Sequence, residues 1–204
     1  MNAMSSFSVK VEESFETSTI DMMFVDDRKC PDSEVRFYLY TRDNVDERQL
    51  IYIDDTLDAS NLSSSLFKPE LPNKIIIHGF RADMFLTPLY KMKAGECALY
   101  SFEFRNNHFT INLEYLQRDL FNIFFVDWFN LSSSFYYPAV VHNIKHVGEC
   151  TAQLVNRIRD AGGEDIHMIG FSLGAQVMNY VANSLKPDYL LPRITGLLLL
   201  DWCT

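Results

Sequence analysis

No run of lysines and arginines occurs in this chain. Its 204 residues carry 18 basic and 27 acidic side chains, a net charge of −9, and the acidic ones are scattered. A nucleic-acid partner needs concentrated positive charge, so that class is excluded. Dispersed acid reads instead as a solvated surface. No apolar stretch reaches the ~20 residues of a spanning helix; the longest, ITGLLLLDW, falls far short, so no transmembrane segment is expected. The opening MNAMSSFSVKVEESFETSTIDMMFVDD has neither a basic n-region nor an apolar h-region, so no signal peptide is visible there. Cysteines are few. Cys30, Cys97, Cys150 and Cys203 match no zinc spacing and allow three disulfide pairings among which sequence does not choose. No metal or cofactor is expected.

What is present is enough apolar material for one core, at 48% hydrophobic and 14% aromatic residues. Residues 1–30 are polar and aperiodic, a loose arm. VRFYLYT (35–41) is aromatic and β-branched, which predicts a strand, and QLIYIDD predicts a second strand antiparallel to it. KIIIHGF and NIFFVDW are short and apolar on both faces, as strands inside a covered sheet are. Val140, Ile144, Val147, Thr151, Leu154 and Ile158 recur at three- and four-residue steps. They predict an amphipathic helix that begins near Pro138 and ends at Gly162-Gly163. DIHMIG is a further buried strand, AQVMNYVANSL a helix, and RITGLLLL one more strand. Alternating short strands and helices predict an α/β fold, a mostly parallel central sheet with helices on both faces.

The stretch EDIHMIGFSLGAQVMNY places Gly170-Phe171-Ser172-Leu173-Gly174 at a strand-to-helix junction. A turn that sharp holds the serine in a strained backbone with its Oγ above the sheet, and the glycines remove side chains that would collide. The helix N-terminus adds partial positive charge where an oxyanion would form. Ser172 is therefore the candidate nucleophile. The pair of oxyanion amides in such a site comes from the residue after the nucleophile and from the loop after an earlier strand, here Leu173 and Phe80 of HGF. His78 precedes that loop and reads as a hydrogen-bonded structural histidine. His142 and His146, one turn apart, read as helix-surface residues, and His167 as packed beneath a covering helix.

KIIIHGFRADMFLTPL, NIFFVDWFNL, YYPAVVHNIKHVGECTAQLV, EDIHMIGFSLGAQV and LPRITGL, collinear from Val35 to Leu197, resemble the pancreatic-type lipase family, its insect members especially. The resemblance implies an α/β-hydrolase fold and a serine carboxylic ester hydrolase acting on lipid. It assigns Ser172 as nucleophile and Phe80 and Leu173 as oxyanion donors. It also implies a lipid ester or lipid–water interface as partner, secretion, and disulfide bonding.

Three departures from the family pattern stand out. Where the family has an aspartate after Gly-Leu, this chain has Leu198, and Asp201 comes three residues late. All five histidines, His78, His108, His142, His146 and His167, precede Ser172, although the triad order in this fold is serine, acid, histidine. The base is absent from these residues. AGECALYSFEFRNNHFTINL (94–113) is an insertion, either a surface excursion or sequence that normal transcript processing removes. The expected domain over 31–204 is thus a partial, C-terminally incomplete hydrolase domain, inactive as it stands. The other reading is a non-catalytic lipid-binding or yolk-type storage protein of the same fold.

Overall fold

A computed structural model of the chain describes residues 28–81, 116, 119–189 and 193–197. VRFYLYT forms β1 (Arg36–Tyr40), and β2 (Gln49–Ile51) runs antiparallel to it with Leu50 opposite Tyr38. The triple isoleucine lies in β3 (Asn73–Ile77), buried along its whole length, and NIFFVD forms β4 (Asn122–Asp127). A short helix α1 (Phe129–Ser132) leads to the long α2 (Tyr137–Asp160). Then come β5 (Ile166–Phe171), α3 (Leu173–Ser184) and β6 (Arg193–Leu197).

The sheet order is β2-β1-β4-β3-β5-β6. β1 is antiparallel to β4, and β4, β3, β5 and β6 run parallel. Both α2 and α3 pack on one face, over Ile75, Ile77, Phe124, Val126, Ile166 and Met168. The stripe read from the sequence is the buried one: Val140, Ile144, Val147, Thr151, Leu154 and Ile158 all face the core. The second face carries Tyr38, Tyr40, Ile76, Ile123, Phe125 and Ile169, and Leu116 closes over it with 3% of its surface exposed.

The order β4-β3-β5 matters for function. The connection leaving β3 runs toward β4, whereas the one leaving β5 runs toward β6. Neighbouring strands whose connections part in opposite directions leave a crevice beyond their C-terminal ends, where α/β proteins bind ligands. In the β3/β5 register Ile77 lies opposite Gly170, so the residues just past each strand, His78-Gly79-Phe80 and Phe171-Ser172-Leu173, meet at that crevice.

Cys30 is tied to Cys150 of α2 by a disulfide, across 120 residues of chain. The expected arm therefore joins the folded body by Cys30, while residues 1–27 lie outside the described residues. The insertion at 94–113, with Cys97 and His108, and Leu198, Asp201 and Cys203 lie outside them as well.

Candidate active site

Ser172 is the residue before the first turn of α3 and sits at φ 52°, ψ −118°, a conformation that side chains other than glycine rarely adopt. It is outside the helix and half-buried, held at the corner where β5 stops and α3 starts. The flanking glycines explain how so tight a corner closes. A Cβ on Gly174 would stand 2.3 Å from the Ile77 carbonyl oxygen and 2.6 Å from that of His78. One on Gly170 would stand 2.5 Å from the Gly174 carbonyl oxygen. Each glycine is thus a point where the backbone of α3 touches β3 or β5 with no room for a side chain.

Gly79 closes the site from the β3 side. Its missing Cβ would meet the Phe171 carbonyl oxygen at 2.7 Å, Ser172 Cβ at 3.0 Å and the Leu173 nitrogen at 3.6 Å. The loop after β3 therefore rests on the serine and on the first backbone amide of α3. Leu173 is the first residue of α3, and amides in a helix's first turn have no intrahelical acceptor.

His78 sets how that loop is turned. The Trp128 backbone N–H donates to His78 Nε2 (3.1 Å) and the Trp128 indole N–H to the His78 carbonyl (2.9 Å). With Nε2 accepting, the ring proton sits on Nδ1 and is donated to the Gly79 carbonyl at 3.0 Å. The rings of His78 and Trp128 stack at 5.5 Å. In a trans peptide the carbonyl and the next N–H point opposite ways. A Gly79 carbonyl drawn toward His78 turns the Phe80 N–H away from that ring. The structural reading of His78 agrees with this geometry.

His167 and His146 are held by other partners. His167 Nε2 donates to Thr195 Oγ1 (2.9 Å), with Lys74 Nζ 3.4 Å from Nδ1. Burial, followed by the charges of Lys74 and Arg193, lowers its pKa to about 4, so it is neutral. Burial also lowers the pKa of Lys74. The surface reading of His146 does not hold: it is 2% exposed, its Nε2 2.8 Å from Asp32 Oδ2, because the segment carrying Cys30 and Asp32 folds over α2. His142 is half-buried on the same helix.

Around the crevice mouth the side chains are aromatic. Phe80 packs edge-on against Tyr137 at 5.1 Å. Phe135 is 93% exposed, with the Arg81 guanidinium over its ring, and Phe129, Tyr136 and Tyr137 are also exposed.

A serine strained at a strand–helix corner, flanked by glycines and faced by the loop of a neighbouring strand, is an arrangement with known relatives. The Lipase family model matches residues 2–200. The chain belongs to the lipase family. The chain is 33% identical over 165 residues to the pancreatic triacylglycerol lipase of Mus musculus, covering 79% of itself and 30% of that relative. It is 28% identical over 168 residues to the human hepatic triacylglycerol lipase, covering 80% and 29%. To the Mus musculus phospholipase A1 member A it is 30% identical over 174 residues, covering 80% and 31%. The chain thus spans about 30% of the length of these relatives. The fold is that of an α/β-hydrolase. Among the described residues, no helix is long and apolar enough to cross a membrane.

Proposed function

We propose that these residues form the nucleophile and oxyanion half of a lipid ester hydrolase, with Ser172 attacking the ester carbonyl. The observation that carries the reading is the strained Ser172 corner in contact with Gly79. The Leu173 and Phe80 amides then stabilise the developing oxyanion, and the positive end of α3 adds to them. His78 acts as a positioning residue, through the Gly79 carbonyl. The exposed Phe129, Phe135, Tyr136 and Tyr137, the last packed on Phe80, favour a lipid or lipid–water interface as the partner. The Cys30–Cys150 disulfide favours an oxidising, extracellular setting.

Three of the four described histidines, His78, His146 and His167, are committed to other partners and are not bases for Ser172. Leu198 stands at the acid position; an oxyanion hole working without a triad gives about a thousandfold over water, against the roughly millionfold more that a triad adds. Leu198 is also what favours the second reading, a non-catalytic lipid-binding or storage protein.

A fluorophosphonate probe separates the two. The expected result is slow phosphonylation of Ser172 in the folded chain, absent in Ser172→Ala and after unfolding in urea. Hydrolysis of a short-chain p-nitrophenyl ester stays near the thousandfold level. No adduct on Ser172 favours the binding protein, and rapid Ser172-dependent turnover shows that a base is present after all.

A further inference from the structure

We propose that Cys30, Cys150, His146 and Asp32 become a zinc site when the Cys30–Cys150 disulfide is reduced. Sulfur atoms of both cysteines and a ring nitrogen of His146 lie within 4.8 Å of one another. His146 and Cys150 are four residues apart on α2, hence on one face of the helix. His146 Nε2 lies 3.6 Å from Cys150 Sγ, and a tetrahedral zinc with Zn–S near ~2.3 Å and Zn–N near ~2.1 Å sets adjacent ligand atoms about 3.6 Å apart. The helix therefore holds two ligands at the required separation. The other two, Cys30 Sγ and Asp32 Oδ2, come from a segment with no regular secondary structure. The motions needed, parting of the sulfurs and retreat of Asp32 from 2.8 Å, fall on that segment rather than on α2.

Two thiolates, a neutral imidazole and a carboxylate form a ligand set that suits zinc. Their three negative charges exceed those of Zn2+, and the Arg28 guanidinium, 3.1 Å from Asp32 Oδ2, offsets the remainder. His146 and Cys150 are each 2% exposed, so the site is dry on the helix side. The redox step balances. A dithiol reductant gives two electrons and two protons to the Cys30–Cys150 bond and leaves as its own disulfide. Zn2+ then replaces the two thiol protons, which pass to solvent. In the oxidised chain the sulfur lone pairs belong to a disulfide, and the metal does not bind.

Nothing in this depends on the role of Ser172. The test uses the full chain reduced under anaerobic conditions with a phosphine and given one equivalent of Co2+ as a spectroscopic stand-in. The expected result is a thiolate-to-cobalt charge-transfer band with the intense visible bands of a tetrahedral ion, displaced by Zn2+ and missing from the oxidised chain. Cys97→Ser/Cys203→Ser keeps the spectrum, whereas His146→Gln and Cys150→Ser weaken Co2+ binding by more than the roughly tenfold to hundredfold that loss of an outer-shell partner costs. A second measurement does not require the variants to fold. In the reduced wild-type chain, Zn2+ slows maleimide labelling of Cys30 and Cys150 but not of Cys97 and Cys203. No charge-transfer band, a band that vanishes in Cys97→Ser/Cys203→Ser, or equal labelling of all four cysteines overturns the proposal.

Discussion

Ser172 holds a backbone conformation, φ 52° and ψ −118°, that costs a side-chain-bearing residue about 1–3 kcal/mol. Contacts around it sustain the strain: Gly79 on one side, and Gly170 and Gly174 packed tightly behind. Ser172→Gly should therefore stabilise the fold by about 1 kcal/mol, after allowing for glycine's extra freedom in the unfolded chain. A urea unfolding curve reads this directly, and an unchanged or lower midpoint shows that the corner stores no strain. His167 carries a pH prediction. Its folded pKa of about 4 lies below the ordinary 6.5, so between those values the unfolded chain binds more protons than the native one. The His167 contribution to stability therefore rises with pH from about 4 to 6.5, by no more than about 3 kcal/mol, and is itself flat below that window. The groups facing the ring are Lys74, Arg193 and Asp165. Denaturant midpoints measured across the window should show the slope, and His167→Gln should lose it. Ser172 was legible because its strain is written into adjacent residues. His146 was not: its partner Asp32 lies 114 residues away, and periodicity alone puts a lone histidine on either face of a helix.

Among the elements, the pairing of α2 with α3 rests on a position that carries no hydrophobic signal. A Cβ at Gly148 would stand 2.4 Å from Tyr180 Cβ and 3.1 Å from the Val177 carbonyl oxygen. Gly148→Ala should push the helices apart and cost about 2–3 kcal/mol, more than any gain in helix propensity returns. Chemical denaturation measures it, and a neutral or stabilising result shows that the helices slide to accommodate the methyl. The stripe on α2 was readable in advance because burial of one helix face imposes a 3.6-residue period. The Gly148 contact was not, because it depends on the angle at which another helix crosses. The strands show the same division. Their apolar cores were evident, but Asn73 and Asn122 at the starts of β3 and β4 are fully buried and bonded to each other at 3.0 Å, a clamp visible only once the strands are paired.

At the scale of the whole molecule, the Cys30–Cys150 disulfide joins the segment before β1 to the middle of α2. Closing a 120-residue loop removes enough freedom from the unfolded chain to stabilise the fold by about 4–5 kcal/mol. The Cys150→Ser variant, assayed without zinc, should lose about that much in equilibrium unfolding, and a loss under about 1 kcal/mol would contradict the entropic account. Short-range physics is what the sequence by itself determined: strands from β-branched and aromatic runs, helix faces from period, the nucleophile corner from glycine spacing, and the α/β class from their alternation. Each is encoded within about twenty residues of chain, where propensity and steric exclusion act. Only the tertiary structure decided which cysteine meets which, that His146 is buried against Asp32, and that Gly79 touches Ser172. Those contacts join residues about ninety to 120 apart, and chain connectivity leaves them open until the sheet order brings the segments together.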